Sequence, residues 1–433
     1  MSPRPMSSRA SQRVKSPGAL AVLVGLAGLL LAACAPAGSP MPSRGTLDPP
    51  APRLQPAPQA QRAPLSPDPN MPLSGGLTPY GQTGYGSIGG RGDMVRVGLL
   101  VPLSGPAAPV GQGILNAAQM AAFDVADERF VLQPYDTRGT PAGAAAAARA
   151  ALGQGARVLL GPVFSGGTRA AAPVAASAGV NLVAFTTDPA VAGGNVFVMG
   201  FLVREQVARM VQFAMGEGRT RFGALAPDET YGRVATQALR QQVAARGVAL
   251  VDSRVYAADA ADVRGPAQAL RGAEAILIPD TGDGLRAAVN ALAYVDIDAD
   301  RVRYMGTMLW DDPRLWRESA LAGGVFPAPP RNTVQGFAAK YQDAFGTAPP
   351  DLASLGYDAV ALAAVLARVP GGPRFDRAML TDAAGFSGVA GIFRFRPDGT
   401  VERGLSVMEI QADGNVLEVA PAPIGFTGGS AGF

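Results

Sequence analysis

Beyond residue 93 the chain alternates short apolar runs with longer alanine-rich ones, and this rhythm restricts the fold more than any other feature. "VRVGLLVPL" (95–103) reads as a buried strand, "GQGILNAAQMAAFDVA" as a helix and "FVLQPYDT" as a strand. A helix through "AGAAAAARAALGQG", a strand "VLLGPV", a helix "GGTRAAAPVAASAG" and a strand "NLVAFTT" follow. Continuously apolar strands separated by helices belong to a parallel sheet covered on both faces.

The rhythm restarts after Gly218 with "RFGALAPD", a helix over 230–247, "ALVDSRVY", "AILIPD" and "VRYMGT". Helices are predicted at 331–345 and 351–369, and "GIFRFRPDGTVERGLSVMEI" reads as a hairpin turning at Asp398 and Gly399. Residues 94–420 are too many for one small core and enough for two. The predicted fold is α/β, with two doubly wound parallel-sheet lobes facing a ligand cleft at the carboxyl ends of their strands.

The first 93 residues cannot join either core. Arg4, Arg9, Arg13 and Lys15 precede an apolar run over 18–33 that is too short for a comfortable membrane span. That run ends at Cys34, the single cysteine of a chain without histidine. Cys34 has no disulfide partner and no catalytic base, and Leu31-Ala32-Ala33-Cys34 looks like a bacterial lipobox. Residues 1–33 are therefore expected to be a lipoprotein signal peptide and Cys34 its lipidated anchor. Ala35, where an aspartate favours inner-membrane retention in such lipoproteins, favours the outer membrane. Residues 34–93 are rich in proline and then glycine, which predicts a disordered tether that reaches about 3.1 Å per residue where extended. "RGD" at Arg91, Gly92 and Asp93 is read as chance. Residues 421–433 are read as a tail.

Charge and motifs narrow the function. The formal +3 of the whole chain divides into +4 on residues 1–33 and −1 on the rest, so nothing suggests nucleic acid. "GQGILN" only partly matches a dinucleotide fingerprint, because "SGPAAPV" separates it from the strand and Asn116 replaces the third glycine. "GPVFSGGT" has the frame of a phosphate loop with Gly167 in place of the lysine. "DIDAD" (296–300) lacks the turning glycine and terminal glutamate of a calcium loop. Without histidine, Ser-His or Cys-His catalysis is excluded, and zinc binding is effectively excluded as well. Asp311 and Asp312 read as a helix cap ahead of Pro313 rather than as paired catalytic acids. No cofactor and no metal is expected, and an enzyme ranks last among the function classes.

Five blocks carry a family resemblance: "VGLLVPLSGPAAPVGQGILNAAQMA", "VLLGPVFSGGTRAAAPVAASAGVNLVAFTT", "LAPDETYGRVATQAL", "LGYDAVALAAVLA" and "GIFRFRPDGTVERGLSVMEIQADG". Over 94–420 the chain resembles the type I periplasmic binding proteins of the leucine-binding branch. The resemblance implies three crossings between lobes, with lobe one at 94–200 and about 326–386 and lobe two at about 201–325 and 387–420. It also implies cleft positions at Ser104, Ser165, Thr168, Thr186, Thr187, Asp188, Tyr231, Asp280 and 308–311, Trp310 among them, around a small anionic or zwitterionic ligand. Two positions depart from the amino-acid binders. Asp188 stands where they have an ammonium-holding threonine, and Met308 where an acid follows "MG".

Those departures, the anchor and the tether point to a further likeness. "VAGGNVFVMGF" and "TRFGALAPD" look like the penicillin-binding-protein activators, which implies a non-enzymatic lipoprotein facing the periplasm with a peptidoglycan synthase as partner. The alternative is the solute-binding subunit of an ABC importer for amino acids or related molecules, with a permease as partner.

Overall fold

The structure is a computed structural model that describes residues 94–257 and 262–426. The signal, Cys34 and the tether lie outside the described residues, as do 427–433. No described helix is long and apolar enough to cross a membrane.

Strands and helices alternate as the apolar rhythm predicts. The first lobe runs through β1 (Val95–Val101), α1 (Ala108–Val125), β2 (Phe130–Asp136), α2 (Pro141–Gly153), β3 (Val158–Leu160), α3 (Ser165–Ser177), β4 (Leu182–Ala184) and β5 (Val196–Val198). Its five strands form one parallel sheet in the order β2-β1-β3-β4-β5. Thr140 caps α2 by accepting the Gly143 N–H at 3.0 Å, and Pro141 fills the first helical position, where no N–H is needed. The "GQG" of α1 is a packing feature. A Cβ at Gly111 would lie 1.8 Å from the Pro102 carbonyl oxygen, so the helix can rest on the loop after β1 only with glycine there.

The chain then crosses into α4 (Val203–Gly216), β6 (Arg221–Pro227), α5 (Thr230–Ala245), β7 (Ala249–Tyr256), α6 (Arg264–Gln268), β8 (Ala275–Leu277), α7 (Gly282–Tyr294), β9 (Arg303–Met305) and β10 (Val325–Ala328). It returns through α8 (Arg331–Phe345), α9 (Ala353–Ala367), α10 (Arg377–Leu380), β11 (Phe386–Gly388), β12 (Gly391–Phe395) and β13 (Val401–Arg403). A last crossing leads to β14 (Ser406–Ile410) and β15 (Val416–Ala420). The second sheet has seven strands, β15-β14-β10-β9-β8-β6-β7, all running in one direction except β14, which pairs antiparallel with both its neighbours.

The first crossing falls where the resemblance implies, but the second and third fall later. β10 pairs with β9 and β14, so residues 326–328 belong to lobe two. The hairpin β12–β13 belongs to lobe one, because Phe393, Phe395 and Val401 bury in the same core as β1, β3 and α9. The chain therefore changes lobe after Val198, after Ala328 and after Arg403. At this junction Arg403, itself buried, donates to the Met199 carbonyl at 2.8 Å and stacks on Phe201 and Phe393. Its counter-ion, Asp358 of α9, is equally buried at 3.7 Å. Burial raises the Asp358 carboxyl to about 6, an effect that Arg403 and the Val389 and Ala390 N–H groups offset only in part.

Candidate functional site

The carboxyl ends of the parallel strands carry most of the polar residues anticipated there. On lobe one, the loop after β1 is gathered around Asp136 at the end of β2. Asp136 Oδ1 accepts the N–H groups of Leu103, Ser104 and Arg138 at 2.8, 3.3 and 2.7 Å, and Oδ2 accepts the Ser104 hydroxyl at 2.5 Å. Burial pushes this carboxyl up, but the Ser104 hydroxyl and the backbone donors outweigh it and hold the group below its usual range.

The loops after β3 and β4 meet through Arg169, four residues into α3. Its Nη2 donates to Asp188 Oδ2 at 2.7 Å, and its Nη1 lies 3.5 Å from the Ser165 hydroxyl. Asp188 Oδ1 caps the following turn through the Ala190 N–H at 3.0 Å, and the Asp188 N–H donates to the Thr186 hydroxyl at 3.1 Å. Ser165, Thr186 and Asp188 are thus brought together, with Thr187 exposed beside them. Thr168 departs from expectation. It is fully buried, and its hydroxyl donates to the Phe164 carbonyl inside α3, which leaves it no path to a ligand.

On lobe two, Tyr231 opens α5 and donates to Thr307, the residue after "MG", at 3.0 Å. Burial raises the Tyr231 phenol, and the Thr307 contact only moderates this. The Met308 N–H donates to Gln206 Oε1 at 2.9 Å, so the strand end is tied to α4. Asp280 stands apart from this pair. It accepts the Tyr256 hydroxyl on one oxygen and the Thr281 N–H on the other, at the start of α7. Asp311 pairs with Arg331 at 2.5 Å, while Asp312 caps a turn through the Arg314 N–H instead of a helix.

Trp310 is a correction. Its indole is completely buried in the second core, against Gly306 and Gly324, where added Cβ atoms would lie 2.1 and 2.8 Å from it. It packs the end of β9 and does not face the cleft. Arg169, Asp136, Thr307 and Gln206 are the residues missing from the sequence-based set. Arg169 had one local signal, its place four residues after Ser165 on a helix.

Among the described residues no cluster of acids could hold a metal ion. Two surface hollows lie elsewhere, about 530 Å³ between β7 and α6 and about 450 Å³ beside Arg157, Asn181 and Arg374. Both are open, with rims built from an edge strand or from paired arginines, and neither touches the strand ends that carry the convergent polar groups.

The fold and these convergent strand ends agree with a family model described as "Periplasmic binding protein", which matches residues 94–415. The chain belongs to this family. Membership implies a periplasmic or envelope location. A curated relative, the Leu/Ile/Val-binding protein BraC3 of Rhizobium johnstonii, is 35% identical over 95 residues, which is 21% of this chain and 26% of that protein. An uncharacterized protein of Rickettsia prowazekii is 22% identical over 37% of this chain and 43% of its own length. The match thus spans less than half of either relative. Among solved structures, a putative branched-chain amino acid ABC transporter protein from Rhodospirillum rubrum has a TM-score of 0.66 at 20% identity, covering 75% of this chain and all of that one. A solute-binding protein from R. palustris, solved with benzoate, gives 0.51 at 19% identity over 76% of this chain and 97% of that one. At such identities the likeness establishes the fold.

Proposed function

We propose that this chain is the solute-binding component of an ABC importer, anchored through Cys34 and taking a small organic anion or zwitterion between its lobes. The observation that carries this reading is that each sheet gathers polar side chains at its strand carboxyl ends, where such lobes take ligands. The BraC3 relative is a Leu/Ile/Val-binding protein, and the two solved structures named above are transporter or solute-binding proteins. That supports the importer over the synthase activator and reverses the order suggested by the anchor and tether.

Thermal denaturation of the full chain against a library of amino acids and small carboxylates tests the reading. A ligand at 100 times its Kd adds about 2.7 kcal/mol. For two lobes of this size that moves Tm by several degrees, at roughly 2–4 °C per kcal/mol for domains of 150–250 residues. The expected result is such a shift for at least one compound, together with co-purification of a permease from envelope extracts. A chain that no solute stabilises, and that captures a peptidoglycan synthase, would restore the activator reading.

A further inference from the structure

We propose that residues 421–426 form a strap across the hinge, fastened to the first lobe by Phe426, and that this strap limits the rotation of one lobe against the other. The inference needs only the two-lobed fold and holds whatever solute the cleft takes.

The path of the chain after β15 carries it. β15 ends at Ala420 on the second lobe, and the match to the family model ends earlier still, at residue 415. The next two residues stay on the second lobe. The Pro421 carbonyl accepts from Arg209 of α4 at 3.1 Å, and the Ala422 N–H donates to the Ser406 hydroxyl at 3.2 Å. Pro423 then passes over the third crossing. A Cβ at Gly404 would lie 3.0 Å from the Pro423 ring, so the strap rests closely on the hinge where that residue lacks a side chain.

Phe426 lands on the first lobe. Its ring centre lies 4.5 Å from the Arg394 guanidinium of β12, and the ring covers Gly385, where a Cβ would be 2.8 Å from it. Arg394 is a fixed platform, because its Nε donates to Glu402 at 3.0 Å and its Nη1 to the Ala383 carbonyl at 3.1 Å. A ring placed over an arginine already held in this way is attracted to it at little further cost in side-chain freedom.

This segment connects the lobes a fourth time. The three chain crossings are covalent at both ends, whereas this link is covalent at one end only. It can be released without unfolding either lobe, because Pro421, Pro423, Ile424 and Gly425 are exposed and belong to neither core. Lobe closure turns on the few residues of the crossings. A link beside them, with its ends on different lobes, narrows the range of angles those residues can reach. It acts next to the Glu205–Arg396 pair, which joins α4 to the same hairpin.

Spin labels on Arg149→Cys in α2 and Arg240→Cys in α5, both exposed and on different lobes, report lobe separation by pulsed electron resonance. The full chain carries Cys34→Ser, so that the labelled positions are its only thiols. Phe426→Ala and a chain ending at Ala420 should each widen the distance distribution about twofold and speed hydrogen exchange of the 199–202 amides about threefold. Phe426→Trp should keep the narrow distribution, and so should Ile424→Ala, whose side chain is fully exposed. A purely local role for Phe426 would alter exchange around 385 and 394 without moving the labels, and that result overturns the inference. So do distributions in Phe426→Ala and the shortened chain that match the unaltered one. A change in the shortened chain alone overturns the assignment to Phe426. No solute enters these measurements, so their outcome is separate from that of the receptor reading.

Discussion

Two arginine–aspartate pairs in this chain do opposite work. Arg169 and Asp188 meet at 2.7 Å, with side chains 57% and 32% exposed. Arg403 and Asp358 are separated by 3.7 Å and almost wholly buried. The closer pair is the weaker constraint, because water screens it and can replace either partner. The more distant pair sits where nothing can replace a partner, so each charge depends on the other. Burial, not separation, determines which pair is part of the fold and which is available to a ligand.

Breaking the buried pair should have the largest effect. Arg403→Leu leaves Asp358 buried without its counter-charge and should cost about 3–5 kcal/mol, measured by urea unfolding. Removing both charges in Arg403→Met/Asp358→Leu should recover most of that loss. A double variant as unstable as the single one would show that Arg403 acts through its contacts with Met199 and Phe201 and not as a counter-ion.

The pH dependence of stability sharpens the same contrast. Burial raises the Asp358 carboxyl to about 6 in the folded chain, well above the ordinary range of an aspartate. A raised carboxyl favours the fold while protonated, so its contribution is full below the unfolded value and is lost as pH rises through about 6. Between pH 5 and pH 7 the unaltered chain should lose more Tm than Asp358→Asn. Parallel curves for the two proteins would contradict this.

An intermediate case tests the scale. Glu205 of α4 accepts both Nη groups of Arg396, at 2.8 and 3.0 Å, and joins the second lobe to the β12–β13 turn of the first. Both side chains are mostly buried, so Glu205→Gln should cost roughly 1.5–3 kcal/mol, as for hydrogen bonds to charged groups. At the small end, Arg169→Ala should change stability by less than about 1 kcal/mol in denaturant titrations. A larger loss would make the cleft pair structural.

The comparison also explains what was legible beforehand. The rhythm of apolar strands and alanine-rich helices locates β1 to β4 and β6 to β9; inner strands such as β1, β3 and β8 show it through burial on both faces, while the edge strands β2 and β7 are found by their place in the alternation. β5 and β10 are short and carry no periodicity of their own. The alternating burial of Gly391, Phe393 and Phe395 marks a strand with one buried face, but no local pattern tells which lobe receives that face. Trp310 misled for a related reason. The resemblance implies that the whole 308–311 stretch lines the cleft, and only the contacts with Gly306 and Gly324 show the pocket that hides the indole. Ser104, Ser165 and Asp188 were placed by resemblance, whereas their partners Asp136 and Arg169 depend on contacts between loops.

The late return of β12 and β13 to the first lobe has a consequence for how the polypeptide is made. Phe393, Phe395 and Val401 fill a core whose first strand begins at Val95, with the whole 201–328 segment synthesised in between. The N-terminal lobe therefore cannot close while it leaves the ribosome. It must wait, with apolar surface uncovered, for residues made some two hundred positions after its own first sheet is complete. Such non-local closure makes folding slow and leaves the waiting intermediate prone to aggregation. A chain truncated before residue 391 should be found with chaperones or in inclusion bodies, even though it holds every strand of the first parallel sheet.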